Sequence, residues 1–364
     1  MNFDLSEDQQ MIRDATARFV DGFDLAAGKT ARGAGGGYSV NRWQALAELG
    51  LLDQAAPEAM GGLGGSRLDL VLTAETLGHS LAIDPWLENG VIPIKLAAAA
   101  GAQALVEMLA SGRERGTLAF AEPGARYSLD PRAVKLEDSG AVSGTKTLVL
   151  GAAASSTLLV TAAGGDGKFA LASVAADQSE VQMRGYRVID GSMASEITFH
   201  GAAGTILEIT REAFLDVIAD ARLLAAAEML GAAQRLFDET LDYARTREQF
   251  GVAIGSFQVL QHRLVDCYAL LEQSRSLVLR CALEDSDGPA LRTAAAGTKA
   301  MVGRAARSIS LEAVQIHGGM GQTDELAIGR GLKRIMLLER FLGDEATCLA
   351  DYASASRSLP VMAA

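Results

Sequence analysis

Large aromatic side chains are scarce in this sequence: Phe, Trp and Tyr make up 5% of its 364 residues, whereas hydrophobic residues make up 49%. Most of any core must therefore consist of Ala, Leu and Val. An Ala- and Leu-rich composition favours closely packed helices over a large sandwich of sheets. The length allows two or three domains and a substantial buried core.

Cysteine and histidine are also rare, with three and four residues. The cysteines are widely spaced and form no Cys-x-x-Cys pair: Cys267, Cys281 and Cys348. We predict that each cysteine packs in the core and that there is no disulfide framework. The histidines do not show the spacing of metal ligands, so no metal site is predicted.

An excess of positive charge is lacking too, since the formal net charge is -12. This balance argues against a nucleic-acid-binding surface and against adsorption to anionic lipid, although a local arginine cluster could still bind a small polyanion. No uncharged apolar stretch reaches the roughly 18 residues of a membrane span. The first residues also lack the pattern of a signal peptide. We therefore expect a cytoplasmic protein with no membrane partner.

Helical periodicity dominates the first third of the chain. Ser6 and Gln9 form a capping box, which predicts a helix that continues to about Val20. Further helices are predicted over residues 40–50, 68–81 and 93–109. Together these segments predict an N-terminal helical domain over residues 1–115.

A glycine-rich loop, Pro57 to Gly65, interrupts this helical region. Such a loop could cradle a phosphate group through its backbone N–H groups. It lacks the Gly-Lys-Ser/Thr sequence and a preceding strand, so a plain connection between helices is the favoured interpretation.

The hydrophobic pattern then changes to short β-type runs separated by Gly, Asp and Ser clusters. These runs are 117–121, 133–136, 141–143, 147–150, 157–161, 169–174 and 195–199. They predict a middle β domain over residues 116–205, with an antiparallel barrel or sandwich. Helical periodicity returns afterwards and predicts a C-terminal helical bundle over residues 206–364.

The stretch from Tyr243 to Leu264 predicts two helices that meet at a glycine-bearing elbow. Arg245, Arg247 and Gln249 lie at this elbow. Two guanidinium groups beside an amide suit a bidentate grip on an anion such as a pyrophosphate. The alternative is a solvated C-terminal turn, where basic residues are common.

The elbow sequence, Tyr-x-x-x-Arg-x-Gln-Phe-Gly followed by Ile-Gly-Ser-Phe-Gln-x-x-Gln-His, resembles the flavin-binding elbow of the acyl-CoA dehydrogenase family. Residues 57–64, 121–124 and 315–325 also resemble that family. The resemblance implies an α+β fold with an N-terminal helical domain, a middle antiparallel β-barrel domain and a C-terminal helical bundle. It also implies an FAD-dependent oxidoreductase that desaturates an acyl-CoA substrate and passes electrons to an electron-transfer flavoprotein.

The resemblance implies cofactor-binding roles for a set of residues on the C-terminal helices. They are Arg247, Gln249, Phe250, Gln258, Gln315, Gly318 and Gly319. In the family these positions grip the FAD pyrophosphate and adenosine of the neighbouring subunit, so an oligomer, typically a dimer of dimers, is expected. The alternatives are core amides for the glutamines and a helix C-cap for Gly318 and Gly319.

The catalytic base implied by the resemblance is Glu325, at the end of Gly-Gly-x-Gly-x-x-x-Glu. The alternative is that residues 323–325 cap the next helix, where carboxylates are stabilising. Some relatives place the base on an earlier helix, at the position of Ala221 here. Asp220 is the nearest acid and is expected to point elsewhere, and Arg222 is predicted to contact the substrate.

The β region departs from the family pattern. The family usually has Thr-Glu-Pro-x-Ala-Gly-Ser-Asp, whereas residues 121–128 place the bulky Arg126 and Tyr127 in this motif. The Trp-Ile-Thr that contacts the flavin ring in the family is replaced by residues 148–150, Leu-Val-Leu. Leucine offers neither an indole face nor a hydroxyl group. The expected Glu-Gly-Thr is also absent, and residues 343–345 lie near that place.

Three interpretations follow. The chain is a complete acyl-CoA dehydrogenase with Glu325 as base, active in fatty acid or steroid side-chain β-oxidation. Alternatively, it resembles the small subunit of bacterial heteromeric acyl-CoA dehydrogenases and completes the FAD site of a second, flavin-competent chain. The third interpretation is a flavin oxygenase or oxidase on the same fold, but Glu325 argues against it.

Overall fold

The computed structural model describes residues 5–21, 39–82, 84–165, 167–284, 287–323 and 326–356. The chain divides into two units, each discontinuous in sequence. The first contains Met1–Ala27, Arg67–Ala82 and Arg222–Ala364, and the second contains Gly28–Ser66 and Ile83–Ala221. The predicted boundaries 1–115, 116–205 and 206–364 stay a prediction.

Helices occupy both ends of the described sequence, and strands lie between them. The α-helices are α1 (Glu7–Val20), α2 (Val40–Glu48), α3 (Arg67–Ser80), α4 (Ile92–Ala99), α5 (Gln103–Ala110), α6 (Arg211–Thr246), α7 (Gln258–Ala282), α8 (Pro289–His317), α9 (Ala327–Arg340) and α10 (Glu345–Ser356). The predicted capping box is confirmed, because Ser6 Oγ accepts from the Gln9 N–H and Gln9 Oε1 accepts from the Ser6 N–H.

In the first unit, α3 and α6 approach so closely that their backbones touch. A Cβ atom on Gly78 would lie 2.1 Å from the Glu228 carbonyl oxygen, and one on Gly231 would lie 1.9 Å from the Glu75 carbonyl oxygen. Both distances are far below van der Waals contact. Glycine at these two positions is therefore what allows the two helices to cross.

In the second unit, the helix predicted over residues 93–109 is wrong as a single element. A π-helix at Trp86–Val91 leads into α4, and α5 begins only after a break at Gly101, whose φ is +67°. Glycine adopts this left-handed conformation without steric cost, so it ends α4 within an otherwise helical, alanine-rich run. The indole N–H of the buried Trp86 donates to the Leu51 carbonyl (2.7 Å).

The strands of the second unit form a barrel. They are β1 (Gly116–Ala119), β2 (Lys135–Leu136), β3 (Ala141–Leu150), β4 (Thr157–Ala163), β5 (Phe169–Ala175), β6 (Val181–Arg187) and β7 (Met193–Leu207). The sheet order is β1-β4-β2-β3-β7-β5, and pairing of β5 with β4 closes the ring. The pairs β1–β4 and β2–β4 are parallel, and the other pairs are antiparallel.

Two strand predictions need correction. The runs predicted separately at 141–143 and 147–150 are one strand, β3, whose register with β7 shifts between Lys146 and Val149. Strand β6 was missed because it carries exposed polar residues such as Gln182 and Arg184 and none of its residues is buried. It pairs only with β7 in the described part of the barrel, so it lacks the hydrophobic run that marks a central strand.

The barrel core consists mainly of small aliphatic side chains, as the composition predicts. Its buried members are Ala119, Val134, Leu136, Val142, Val149, Ala152, Leu158, Val160, Ala162, Ala172, Val174, Ile197, Phe199 and Ala202. All three cysteines are free and buried, in agreement with their predicted packing role. Across the described ranges, no helix combines the length and apolar character that crossing a bilayer requires.

Candidate functional site

The predicted elbow is a short β-hairpin between α6 and α7. Strands β8 (Glu248–Gln249) and β9 (Val252–Ala253) pair antiparallel. Phe250 and Gly251 form the two-residue turn between them, with φ values of +56° and +82°. Two positive φ values are typical of the tight turns that match the twist of a hairpin. Two backbone hydrogen bonds of Arg247 connect the hairpin to α6 and to the following 3-10 turn. The Arg247 N–H donates to the Tyr243 carbonyl, and the Arg247 carbonyl accepts from the Ile254 N–H (both 2.8 Å).

The side chains that were predicted to bind the cofactor at this elbow face outward. Arg247 and Gln249 are exposed, and neither side chain has a hydrogen-bond partner among the described residues. Phe250 is 93% exposed and meets Phe257 edge-on, with ring centroids 6.3 Å apart. An apolar ring held in a left-handed conformation costs about 1–2 kcal/mol relative to relaxed backbone. Such a residue suits contact with a molecule outside this chain.

A ring stack joins the elbow to the end of α8. The Tyr243 ring lies 4.3 Å from the His317 ring at an interplanar angle of 21°. His317 is buried, and its Nδ1 lies 2.9 Å from the Ala313 carbonyl. The stack places Tyr243, near the end of α6 and one turn before Arg247, against His317, which directly precedes Gly318 and Gly319. Sequence reasoning missed this link, because 74 residues separate the two rings and no local pattern connects them.

Gly318 and Gly319 border open space. A Cβ atom on either residue would have no heavy atom within 4 Å. Gly318 ends α8 as its C-cap with a φ of +62°, so the C-cap alternative applies to it. Both glycines are exposed, and their bare backbone can be approached closely by a ligand.

The predicted glutamines also lie on the surface. Gln258 is the first residue of α7 and Gln315 lies in the last turn of α8, and both are exposed. They are therefore not core amides. Gly255 is required for a different reason, since a Cβ atom there would lie 2.9 Å from the Ala244 carbonyl oxygen.

The predicted base, Glu325, lies outside the described residues. Other acids near the predicted positions are engaged in contacts that stabilise the fold. Asp220 pairs with Lys95 (2.6 Å), and Asp344 Oδ1 accepts from the N–H (2.9 Å) and the hydroxyl (2.7 Å) of Thr347. Glu345 pairs with Arg304.

Arg222 lies inside the first unit, where it binds the turn between α9 and α10. Its Nε donates to the Leu342 carbonyl (2.9 Å), and its guanidinium pairs with Asp351 (2.8 Å). The side chain is buried, and its predicted contact with substrate stays a prediction. Leu342 and Gly343 in this turn have φ values of +60° and +120°.

A buried lysine binds the same turn. Lys299 Nζ donates to the carbonyls of Glu339 (2.9 Å) and Gly343 (2.6 Å). Burial lowers the pKa of Lys299 to about 8, and the nearby Arg222 charge adds to this effect. Two cations therefore meet the carbonyl end of α9, where the helix dipole favours positive charge.

In the second unit, the motif at residues 121–128 contains a buried acid, Glu122. The Glu122 carboxylate accepts hydrogen bonds from the N–H groups of Arg132 (3.0 Å), Ala133 (2.7 Å) and Val134 (3.1 Å). Burial alone raises the pKa of this carboxyl group. The N–H groups of residues 132–134 and the Lys146 charge together outweigh burial, so the pKa of Glu122 is lowered overall. Glu122 is therefore an ionised group that stabilises a loop.

Lys146 is the partner of this acid, and its exposure is 0%. Its Nζ donates to Glu122 Oε1 (3.1 Å), the Phe120 carbonyl (2.9 Å) and Thr161 Oγ1 (3.1 Å). Burial lowers the pKa of Lys146 to about 8, although the Glu122 charge opposes this shift. The sequence did offer a signal, because Val142, Gly144 and Lys146 share one face of a strand.

Strand β3 forms a bulge immediately after Lys146. Leu148, at the position where the family has tryptophan, is 41% exposed and has a φ of +52°. Its N–H donates to the Tyr186 hydroxyl (3.2 Å), and the Thr147 N–H donates to the Ala121 carbonyl (2.9 Å). Bulges of this kind re-aim side chains and are common beside active sites.

The glycine-rich loop is not a phosphate cradle. The N–H groups of Gly61, Gly62, Gly64 and Gly65 donate to the carbonyls of residues 58, 57, 56 and 54. Carbonyl groups of the loop and of the residues just before it already accept from these donors, so the donors cannot ligate an anion unless these hydrogen bonds break. The predicted role as a connection between helices is the one that the structure supports. Across the described ranges, no group of three or more His, Cys, Asp and Glu side chains could hold a metal ion.

Comparisons with known proteins assign both helical regions to one family. The family models described as acyl-CoA dehydrogenase, N-terminal domain, and acyl-CoA dehydrogenase, C-terminal domain, match residues 6–109 and 212–355. The chain is 30% identical over 341 residues to the acyl-CoA dehydrogenase IpdE2 of Mycolicibacterium smegmatis. That match covers 93% of this chain and 96% of IpdE2.

Two solved structures extend the comparison to the fold. A Tcur3481-Tcur3483 steroid ACAD variant has a TM-score of 0.88 at 25% identity and covers 96% of this chain and 98% of its own. A glutaryl-CoA dehydrogenase from Mycobacterium smegmatis in complex with FADH2 has a TM-score of 0.88 at 18% identity, covering 99% and 97%. The fold has helical N- and C-terminal domains around a β domain, as predicted, and the chain belongs to the acyl-CoA dehydrogenase family.

Proposed function

We propose that this chain serves the FAD-dependent α,β-desaturation of an acyl-CoA thioester, and that its elbow binds the FAD of a neighbouring subunit. The observation that carries the proposal is the outward-facing set at the elbow. Arg247 and Gln249 lack partners among the described residues, and the ring stack of Tyr243 on His317 ties them to Gly318 and Gly319.

This donor set fits the dinucleotide part of FAD. A guanidinium offers two parallel N–H groups to a pyrophosphate, and the adjacent Gln249 amide adds a further donor. The bare backbone at Gly318 and Gly319 leaves room for a flat group at van der Waals distance. Phe250 and Gln258, both exposed, would contact the same ligand or the subunit that carries it. FAD, when bound, accepts the hydride that leaves the acyl β-carbon.

Glu325 is the proposed base, which removes the α-proton of the thioester. A carboxylate performs this step best when a dewatered, apolar site raises its pKa toward neutrality. The acids Asp220, Asp344 and Glu345 are less suitable, because each already binds a lysine, a threonine or an arginine of its own unit. Changing Glu325 to Gln should slow flavin reduction by about 10²–10⁴-fold.

The second candidate function is a subunit that completes the FAD site of a partner chain without turning over substrate itself. The specific observation in its favour is the barrel edge, where Leu148, Val149 and Leu150 stand in place of the family's flavin-contacting residues. One structural relative is a steroid ACAD whose name, Tcur3481-Tcur3483, joins two different chains. We infer that a second acyl-CoA dehydrogenase-like chain and a bulky acyl-CoA, such as a steroid side-chain thioester, are the partners to test first.

Stoichiometry and anaerobic bleaching separate these functions. The chain is produced alone and together with the acyl-CoA dehydrogenase-like chain encoded beside it, and FAD is counted per chain. The bleaching of the yellow flavin by an acyl-CoA is then followed with the wild type and the Glu325→Gln variant. One FAD per chain and base-dependent bleaching of the isolated chain support the complete enzyme. About one FAD per two chains, with bleaching insensitive to Glu325, supports the accessory subunit.

No flavin in either preparation would overturn both proposals. Electron-transfer flavoprotein is the proposed electron acceptor. The proposed location is the cytoplasm, and the assembled enzyme should appear in the cytoplasmic fraction of the cell. Reoxidation of the bleached enzyme by that flavoprotein, measured under the same anaerobic conditions, tests the acceptor.

A further inference from the structure

The ion pair of Lys146 and Glu122 is unusual because the barrel encloses it completely. The side chains are 0% and 3% exposed. Removing two charges from water costs several kcal/mol per ion, and the attraction between them offsets this only when further hydrogen bonds complete the site. Replacing such pairs with apolar residues is often neutral or stabilising. A pair of this kind therefore calls for an explanation beyond stability.

The contacts of the pair show what it joins. Lys146 Nζ contacts the Phe120 carbonyl after β1, Glu122 in the following loop, and Thr161 in β4. Glu122 in turn binds the N–H groups of residues 132–134, just before β2. The two charged groups thereby fasten both ends of the loop 120–134 to the barrel wall.

The same pair also lies directly beside the bulge in β3. Lys146 is the last residue before the register shift, and the next residue, Thr147, donates its N–H to the Ala121 carbonyl (2.9 Å). On the outer side, the Tyr186 hydroxyl accepts from the Leu148 N–H. Hydrogen bonds of Thr147 and of Leu148 itself therefore brace the bulge, and a strained residue persists only where its surroundings hold it.

We propose that Lys146 and Glu122 are positioning residues that hold the loop 120–134 and the Leu148 bulge as one rigid edge of the barrel. This inference rests on the complete-enzyme form of the proposed function, in which residues 148–150 take the place of the family's flavin-contacting residues and lie beside the flavin or acyl-CoA. An edge that is ordered before binding loses less conformational freedom when the ligand arrives. The pair therefore contributes to ligand affinity without touching the ligand.

Amide hydrogen exchange tests the positioning role without any ligand. The variants are Lys146→Met, Glu122→Gln and the double change, in the full-length chain. We expect each variant to increase the exchange rate of the amides of residues 132–134 and 147. This increase should be at least tenfold larger than the increase at Leu159 and Val160 in β4. Equal acceleration at all these amides would mean ordinary loss of barrel stability and would overturn the inference.

Lys95→Met is the matched control, since it removes a second ion pair of the same unit, with Asp220 (2.6 Å). It should leave the exchange of residues 132–134 and 147 unchanged. If the Lys146 variant does not fold, Thr161→Val removes a single acceptor of Lys146 and should give a smaller increase at the same amides. Unchanged exchange in a folded Thr161→Val variant and in Glu122→Gln would contradict the proposal.

Ligand affinity is the second readout. The assembled enzyme, made with its partner chain, is titrated with FAD after removal of the flavin. Glu122→Gln should raise the Kd about tenfold, whereas Lys95→Met should not change it. A wild-type assembly that binds no FAD would refute the proposed function, and the exchange pattern would still decide whether the pair positions the loop. If the loop amides exchange faster but the Kd for FAD is unchanged, the ion pair orders the loop without affecting FAD affinity. That result would overturn the proposed contribution to affinity.

Discussion

The elbow and the barrel edge use polar residues in opposite ways. At the elbow, Arg247 and Gln249 point to solvent and have no partner among the described residues. At the barrel edge, Lys146 and Glu122 are buried, and each has at least three hydrogen-bond partners. The elbow is therefore open for a ligand, whereas the barrel edge is already satisfied by its own chain.

Because of this difference, the elbow should contribute mainly to the free energy of ligand binding, and the barrel edge mainly to the free energy of folding. Interactions at the elbow form only when an external group arrives, so changes there should alter affinity and leave unfolding nearly untouched. Interactions at the barrel edge form when the chain folds, so changes there should alter the free energy of unfolding first. Each of the following experiments tests one side of this contrast.

Removing the buried cation should have the largest effect on stability. Lys146→Met leaves the Glu122 charge inside the barrel with backbone donors only, and it should lower the free energy of unfolding by about 3 kcal/mol. Urea denaturation followed by circular dichroism measures this change. Arg247→Ala, measured in parallel, should shift the free energy by less than about 0.5 kcal/mol, as for an ordinary surface change. Equal losses in the two variants would erase the contrast.

Removing the exposed guanidinium should have its main effect on the cofactor. A charge-assisted bidentate contact is worth about 1.5–3 kcal/mol, so Arg247→Ala should weaken FAD binding by the assembled enzyme roughly 10- to 100-fold. Equilibrium dialysis with flavin fluorescence gives the affinity. Arg245→Ala is the matched control on the same elbow, because Arg245 contacts Asp242 (3.3 Å). If Arg245→Ala weakens binding as much as Arg247→Ala, a general charge effect explains the result.

The interior lysines should make stability depend on alkaline pH, which an arginine cannot do. The pKa of Lys299 is about 8 in the folded protein because of burial, compared with about 10.4 for a lysine in an unfolded chain. Between these values Lys299 holds more protons in the unfolded chain, so its own contribution to the free energy of unfolding should rise as pH increases from 8 to 10. The buried Cys267, whose pKa burial raises to about 11, contributes with the opposite sign.

A comparison with a variant that lacks Lys299 isolates the contribution of this lysine. Relative to Lys299→Met, the wild type should gain about 1.4 kcal/mol for each unit of pKa difference as pH rises through this window. Urea denaturation at pH 7, 8, 9 and 10 provides the measurement. Parallel pH profiles for the two proteins would show that Lys299 does not titrate there. Lys146, with its own pKa near 8, adds a contribution of the same sign in both proteins.

Relieving strain at the hairpin tip should have the smallest effect, and its sign differs between the two measurements. Phe250 has a φ of +56°, so Phe250→Gly should stabilise the isolated chain by about 0.5–1 kcal/mol. The same change removes a ring that is 93% exposed and should weaken subunit association or FAD binding. Thermal melting and analytical ultracentrifugation measure the two outcomes. A variant that is both more stable and equally well assembled would remove Phe250 from the site.

The elbow could be predicted because its residues are neighbours in sequence. Two helical patterns broken by Gly251, with Arg247 and Gln249 between them, specify a turn and its polar side chains locally. The family resemblance then supplied the ligand. The same local logic predicted the first helix correctly from Ser6 and Gln9, because a capping box lies within four residues.

The barrel edge could not be predicted because its contacts span distant parts of the chain. Glu122 and Lys146 lie 24 residues apart, and their other partners come from residues 132–134 and from Thr161. Alternation along β3 places Lys146 on the inner face, but periodicity alone does not show which acid would neutralise it. The break at Gly101 was missed for a related reason, since the flanking alanines favour helix in either arrangement.

The crossing of α3 and α6 limits how this protein can change over time. Because Gly78 and Gly231 bring two backbones into direct contact, even one added methyl group would push the helices apart and disturb every residue packed along them. In a saturation library, nearly all variants at these two positions should be lost, while many surface positions accept a wide range of residues. Evolution toward a new substrate would therefore have to retain Gly78 and Gly231 and change other positions.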